Sequence, residues 1–198
     1  GLHVATFGYD PDADVRVTEV RYEAPWLRFM LNARFPFRLR LAGAHNAVNA
    51  AAAVTIARRE GCDYAEAAAR LDSFAAPPMR NEIVEVGGVT LVNDAYNANP
   101  QSALAAIDVL TQMPCRGQRI AVFGEMRELG AHSAALHQRV AEHLRRSGIA
   151  RVLLVGAAGE LMGDAFEAGG LFGPSVERCD GVADCLEKLA GSLRPGDV

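Results

Sequence analysis

The chain of 198 residues is 50% hydrophobic and 22% charged, with a formal net charge of −4, the balance of an ordinary globular protein and not of a disordered segment. That acidic surplus, with no block of Lys or Arg, argues against nucleic acid or an anionic membrane as the main partner and leaves room for a local basic pocket that takes phosphate. No run approaches the ~18 apolar residues of a membrane span, the opening Gly-Leu-His-Val has no signal-peptide character, and Cys62, Cys115, Cys179 and Cys185 lack zinc-ligand spacing and read as reduced thiols, so a cytoplasmic protein is expected.

Residues 4–41 carry short β-like runs, such as 15–22 and 26–32, broken by a turn with Asp10, Pro11 and Asp12, and predict a small antiparallel sheet. Gly43 opens a different texture. Residues 47–59 are alanine-rich with apolar positions at helical spacing, Gly61 ends that helix, and Asp63 caps a second one through Leu71. Pro77 and Pro78 interrupt helix and strand alike and mark a domain junction, giving domains at 1–79 and 80–198. Beyond it, 83–86 and 89–93 form a hairpin about Gly87 and Gly88. Helix is then predicted at 102–110, strand at 119–123, helix at 133–146, strand at 151–155, helix at 160–168, a short strand at 176–178 and helix at 182–193. Such alternation predicts an α/β fold with a mainly parallel sheet and helices on its faces, a Rossmann-like layout. The dinucleotide fingerprint is missing, since 124–130 is not Gly-x-Gly-x-x-Gly and Gly156 is followed by Ala157 and Ala158. The absence of an initial methionine, and an end at Val198 where a Pro-Gly-Asp turn has delivered the first residue of a strand, predict a piece cut at both ends.

Four constellations could carry chemistry. Asn46 and Asn49, three apart where Gly43, Ala44 and His45 enter a helix, put two carboxamides on one face, able to donate and accept together as an adenine edge requires; capping by Asn46 is the plainer reading. Arg80, at the junction, offers a planar fork suited to phosphate oxygens, or a surface ion pair with Glu82. Asn93, Asp94, Ala95, Tyr96, Asn97, Ala98, Asn99 and Pro100 leave a strand and enter a helix, where open α/β sheets bind ligands. An Asx-rich turn with Pro100 at the first helical position explains Pro100 and one Asn, but not so dense a cluster of polar groups. Residues 124–130 follow another strand, so Glu125 is expected to face the same crevice as Asp94; helix-terminus chemistry with Glu128 and His137 as solvated charges is the alternative, and the same solvated role is taken for His132 and His143.

Taken in order, these motifs resemble the Mur ligase family, and most closely its members that add D-alanyl-D-alanine to a UDP-N-acetylmuramoyl tripeptide in peptidoglycan synthesis. Residues 43–49 look like the family's Gly-x-His-Asn-x-x-Asn stretch, Arg80 matches the arginine near the end of its central domain, and 94–99 look like Asp-x-Tyr-Asn-Ala-Asn. Residues 124–130 resemble Gly-Asp-Met-x-Glu-Leu-Gly, with Glu125 where the family usually has aspartate. The resemblance implies the sheet-plus-helices end of a central ATP-binding domain, followed by a Rossmann-like C-terminal domain. Asn46 and Asn49 would contact adenine, Arg80 the ATP phosphates and Asp94 the ribose, while Tyr96, Asn97, Asn99 and Glu125 would line the substrate cleft. It also implies ATP and Mg2+ in an intact enzyme that forms an acyl phosphate and an amide; a monomer is expected. The Gly-x-x-x-x-Gly-Lys-Ser/Thr loop does not occur in this sequence, so the fragment alone is expected to be inactive.

Three other readings stand beside it. A sister Mur ligase or a folylpolyglutamate synthetase would be expected to carry histidine or lysine where this chain has Asn97. A non-catalytic nucleotide-binding module would need a complete phosphate site, which these residues do not supply. A purely structural interaction domain leaves the paired asparagines and the polar loop without a purpose.

Overall fold

The computed structural model describes residues 4–167 and 173–198, and the chain forms two compact units, Gly1–Pro77 and Pro78–Val198. In the first, strands β1 (Phe7–Gly8), β2 (Val15–Glu23), β3 (Trp26–Leu31) and β4 (Phe35–Leu39) lie in that order in one sheet. The predicted antiparallel pairing holds for β2, β3 and β4, whereas β1 runs parallel to β2 through only two residue pairs. That short bridge is held locally: Thr6 donates its N–H and its Oγ1 hydroxyl to Asp14 Oδ2, and Val15 N–H returns to Thr6 O. Alternation sends Leu27, Phe29, Leu31, Phe37 and Leu39 to one buried face.

Helices α1 (His45–Arg59) and α2 (Tyr64–Asp72) cover that face. Ala47, Ala50, Ala51 and Val54 recur at the spacing that makes a single stripe, and their small side chains let α1 lie close to the sheet. Asp63 caps α2 by accepting from Glu66 N–H, and the Tyr64 ring stacks on Phe35 with centroids 3.9 Å apart.

The second unit opens with the hairpin β5 (Glu82–Val86) and β6 (Val89–Asn93), turning on Gly87 and Gly88 with φ of 59° and 82°. Two consecutive positive values are what a right-twisted two-residue hairpin requires. Helix α3 (Pro100–Gln112) follows, then β7 (Ile120–Phe123), α4 (Ser133–Arg146), β8 (Arg151–Val155), α5 (Ala158–Glu167), β9 (Ser175–Cys179) and α6 (Val182–Ala190). Strands β7, β8 and β9 form a parallel sheet in that order, with Val152, Leu153 and Leu154 of the central strand fully buried. Helix α4 and strand β8 have the predicted bounds, while α1 and α3 each start two residues early. Helix α5 also starts two residues early, at Ala158, and its predicted last residue, Ala168, lies outside the described residues. Helix α6 stops at Ala190, short of the predicted 193, with Gly191 as its C-cap.

Val198 takes the role the turn before it predicted. Its N–H donates to Gln118 O and its carbonyl accepts from Ile120 N–H, strand-like bonds along β7. All four cysteines are free thiols, and no helix among the described residues is long and apolar enough to cross a membrane.

Candidate functional site

The asparagine pair sits in the first turn of α1. Gly43, at φ 92°, turns the chain into the helix, and Ala44 occupies the N-cap with no side-chain bond to the helix. The capping alternative for Asn46 is therefore not what forms. Asn46 is 9% exposed and sends its Nδ2 back to Ala42 O at 2.7 Å, while its Oδ1 accepts from Asn49 Nδ2 at 3.2 Å. One carboxamide is thus anchored to the backbone and orients the other, whose Oδ1 is of a kind to accept from a ligand donor. Tyr9 Oη donates to Ala44 O at 3.0 Å and pins the same turn, and burial raises the pKa of that phenol.

In the second unit, Arg80 and the loop of residues 93–99 are built on each other. Asp94 Oδ1 accepts the Asn81 N–H at 2.9 Å, and Tyr96 N–H donates to Met79 O at 3.1 Å, so Arg80 is clamped on both flanks. Met79 and Asn81 adopt φ of 60° and 49°, a left-handed conformation uncommon for residues other than glycine. The Arg80 guanidinium carbon lies 4.2 Å from the centroid of the Tyr96 ring, a cation–π contact on a side chain that is 63% exposed. Glu82, the ion-pair alternative for Arg80, uses its Oε2 to accept from Met79 N–H and Asn93 Nδ2. Arg80, Asp94 and Tyr96 are thereby brought together. Asn97 is exposed. Asn99 is the N-cap of α3, accepting from Gln101 and Ser102 N–H in a capping box, so its oxygen is committed to the helix.

The loop of residues 124–130 leaves β7 with the Glu125 carboxylate 3.8 Å from Arg127 Nε on the surface. Here one alternative fails. His137 is not a solvated charge: it is fully buried, its Nε2 accepts the Met126 N–H at 2.9 Å, and its Nδ1 lies 2.8 Å from Ser133 O. That pattern requires the neutral ring with its proton on Nδ1. The missed signal was its register, since His137 shares a helical stripe with buried Val140, Ala141 and Leu144. His143, by contrast, is partly exposed beside Asp108 Oδ1 at 2.8 Å.

Asn81 is the other residue the sequence reading passed over. Its side chain is buried in the clamp around Arg80, and nothing among the described residues bonds its Oδ1. Among the described residues no group of three or more His, Cys, Asp or Glu could hold a metal ion. In kind, the paired amides of the first unit suit a base edge, and the carboxylate and guanidinium of the second suit hydroxyls and phosphate.

A small sheet under two helices followed by a Rossmann-like α/β unit, with these motifs at the helix and strand ends, is the arrangement that the resemblance to a ligase family implied. The family described as Mur ligase, glutamate ligase domain, matches residues 79–198, and the chain belongs to the Mur ligases. Over 86% of its length it is 34% identical to the UDP-N-acetylmuramoyl-tripeptide--D-alanyl-D-alanine ligase of Mycobacterium tuberculosis (strain CDC 1551 / Oshkosh), covering 38% of that protein. Over 60% of its length it is 41% identical to the ligase of the same name from Escherichia coli (strain K12), covering 26% of it. The UDP-N-acetylmuramate--L-alanine ligase of Clavibacter michiganensis subsp. michiganensis (strain NCPPB 382) matches 98% of the chain at 32% identity, over 42% of its own length. Among solved structures, MurF from Acinetobacter baumannii aligns with a TM-score of 0.81 at 26% identity, over 94% of this chain and 40% of that one. MurF ligase from Thermotoga maritima, in complex with ADP, shares the fold with a TM-score of 0.77 at 24% identity, over 97% and 43% of the two chains. The chain spans about two-fifths of the length of most of these relatives.

Proposed function

We propose that this chain is part of an ATP-dependent ligase that joins D-alanyl-D-alanine to a UDP-N-acetylmuramoyl tripeptide in the cytoplasm, acting as a monomer. The observation that carries the reading is the loop of residues 94–100, whose Asp-Ala-Tyr-Asn-Ala-Asn-Pro sequence is folded against Arg80 by the Asn81–Asp94 and Tyr96–Met79 bonds. In this reading Asn46 orients Asn49 and the pair contacts adenine, Arg80 meets the phosphates and Asp94 takes the ribose. Tyr96, Asn97, the Asn99 amide and Glu125 line the substrate cleft. ATP activates the tripeptide carboxylate as an acyl phosphate, and the dipeptide amine displaces phosphate to form the amide. Mg2+, where the intact enzyme holds it, would supply charge neutralisation at the phosphoryl group. The residues of this chain bind and orient; they supply no phosphate-cradling loop, and the chain by itself is proposed to be inactive.

The test is phosphate release by the full-length protein supplied with ATP, Mg2+ and UDP-N-acetylmuramoyl tripeptide. Release that rises on adding D-alanyl-D-alanine supports the reading. The match to an L-alanine-adding ligase over nearly the whole chain sets the competing arm. Release that instead needs UDP-N-acetylmuramate and L-alanine would assign the protein to that sister activity.

A further inference from the structure

We propose that Asn81 is a specificity-determining residue of the nucleotide site, its side-chain oxygen accepting one hydroxyl of the ribose whose other hydroxyl Asp94 accepts; this rests on the ligase reading of Asp94. Asn81 is 9% exposed, and its Oδ1 has no hydrogen-bond partner among the described residues. A buried acceptor left unmade is costly and calls for an explanation in a folded chain. Its position supplies one. The backbone N–H of the same residue holds Asp94 Oδ1 at 2.9 Å, so the buried, unpartnered carboxamide oxygen belongs to the residue that fixes the carboxylate assigned to the ribose in the ligase reading.

The backbone points the same way. Asn81 sits at φ 49°, where asparagine is tolerated better than most side chains, and Met79 at φ 60° flanks Arg80 on its other side. Strained conformations of this kind persist where surrounding bonds over-determine them, and here those bonds come from Asp94, Tyr96 and Glu82. The final torsion of an asparagine is soft, so a small swing of the carboxamide brings its oxygen to a ligand hydroxyl. A vicinal diol fits this pair of acceptors because it presents two hydroxyl donors on adjacent carbons, and both acceptors lack protons to give.

The experiment uses the full-length protein and three probes, ATP, 2′-deoxy-ATP and 3′-deoxy-ATP, with affinities read by titration calorimetry. The wild type is expected to prefer ATP over the analogue lacking the Asn81-bound hydroxyl by roughly three- to tenfold, the worth of one such bond. Asn81→Gly keeps the left-handed turn and the N–H to Asp94 while removing only the carboxamide. It is expected to lower ATP affinity by the same factor and to abolish the preference. The preference is a ratio within each protein, so partial unfolding of the variant does not imitate the result. A wild type indifferent to both hydroxyls, or an Asn81→Gly protein that keeps the preference, overturns the proposal. Dipeptide-dependent phosphate release by the wild type is scored separately, so a failure of the ligase reading is distinguishable from a failure of this one.

Discussion

His137 shows how one residue can set a loop. The imidazole takes a backbone N–H on one nitrogen and gives its proton to a carbonyl with the other, so the start of α4 and the loop after β7 are tied through a single buried ring. Replacing it with alanine leaves the Met126 N–H without its acceptor and opens a cavity in a fully buried position. The expected loss for His137→Ala is about 2–4 kcal/mol, measured as a fall in the urea unfolding midpoint with an unchanged slope. Amide exchange at Met126 is expected to accelerate by more than the global change accounts for. Asn46 teaches a related lesson: an asparagine near a helix start is usually read as a cap, but its bond to Ala42 O makes it the support for Asn49. In both cases the residue type was visible in the sequence and its partner was not, because the partner is a backbone group placed by the fold.

At the scale of elements, Asn99 does structural work that its motif conceals. Both its bonds to the first turn of α3 are lost in Asn99→Ala, which is expected to cost about 1 kcal/mol, read as a lowered midpoint. Asn99→Asp is expected to keep the cap, since a carboxylate accepts the same two N–H groups and favours the positive end of the helix. Acid sensitivity belongs to elements too. Paired with Arg145 and Arg146 near the end of α4, Glu142 has its carboxyl pKa lowered to about 2, chiefly by the Arg145 hydrogen bond. Arg151 of β8 likewise lowers that of Glu177 in β9 through a bond of 2.6 Å. A depressed folded value means that the stabilisation is full above the ordinary carboxylate range and is lost as pH falls through the folded one. Stability is therefore expected to decline below about pH 4.5, the ordinary glutamate range, with the Glu142 part lost as pH approaches 2. Denaturant midpoints measured from pH 7 to 2.5 check this, and Glu142→Gln should flatten the decline.

The elements themselves were largely legible. Helix α4 and strand β8 could be bounded in advance because a 3.6-residue apolar stripe and a continuous Val-Leu-Leu-Val run leave little choice. Helix α1 began earlier than its apolar pattern because Gly43 makes the turn and polar His45 and Asn46 occupy the first helical positions. Strand β1 was illegible as a partner, since two residues carry no alternation and the pairing rests on the Thr6–Asp14 bonds. Of the candidate site, the motif residues could be named from sequence. The clamp that joins Met79–Asn81 to the Asp94 loop could not, because it depends on left-handed backbone at two residues that have no glycine to announce it.

A bridge near the end of the described chain ties the hairpin of the second unit to its parallel sheet. Residues 194–198 pair with the hairpin on one side and with the parallel sheet on the other: Gly196 N–H donates to Gly88 O, Thr90 N–H to Asp197 O, and Val198 bonds along β7. The Asp197 side chain, 4% exposed, locks this bridge by accepting Gln118 N–H on Oδ1 and Arg194 N–H on Oδ2, each at 2.8 Å. Close packing makes the arrangement intolerant of bulk, for a Cβ at Gly117 would lie 2.2 Å from Asp197 Oδ1. Since the hairpin carries the Asp94 loop at the end of β6, the bridge also sets where that loop stands relative to β7 and the Glu125 loop that follows it. Asp197→Ala removes one charged acceptor from two backbone N–H groups whose bonds are part-buried, and the expected destabilisation is about 3 kcal/mol, by the scale of hydrogen bonds to charged groups. In amide exchange, Thr90, Gln118 and Arg194 are expected to lose protection together, because hairpin and sheet edge are released at one point. Val152 and Leu154, inside the parallel sheet, are expected to change only as far as global stability falls. Loss confined to Arg194 and Gln118, with Thr90 still protected, would show that the hairpin is held to the sheet by other contacts and that Asp197 serves only its own turn.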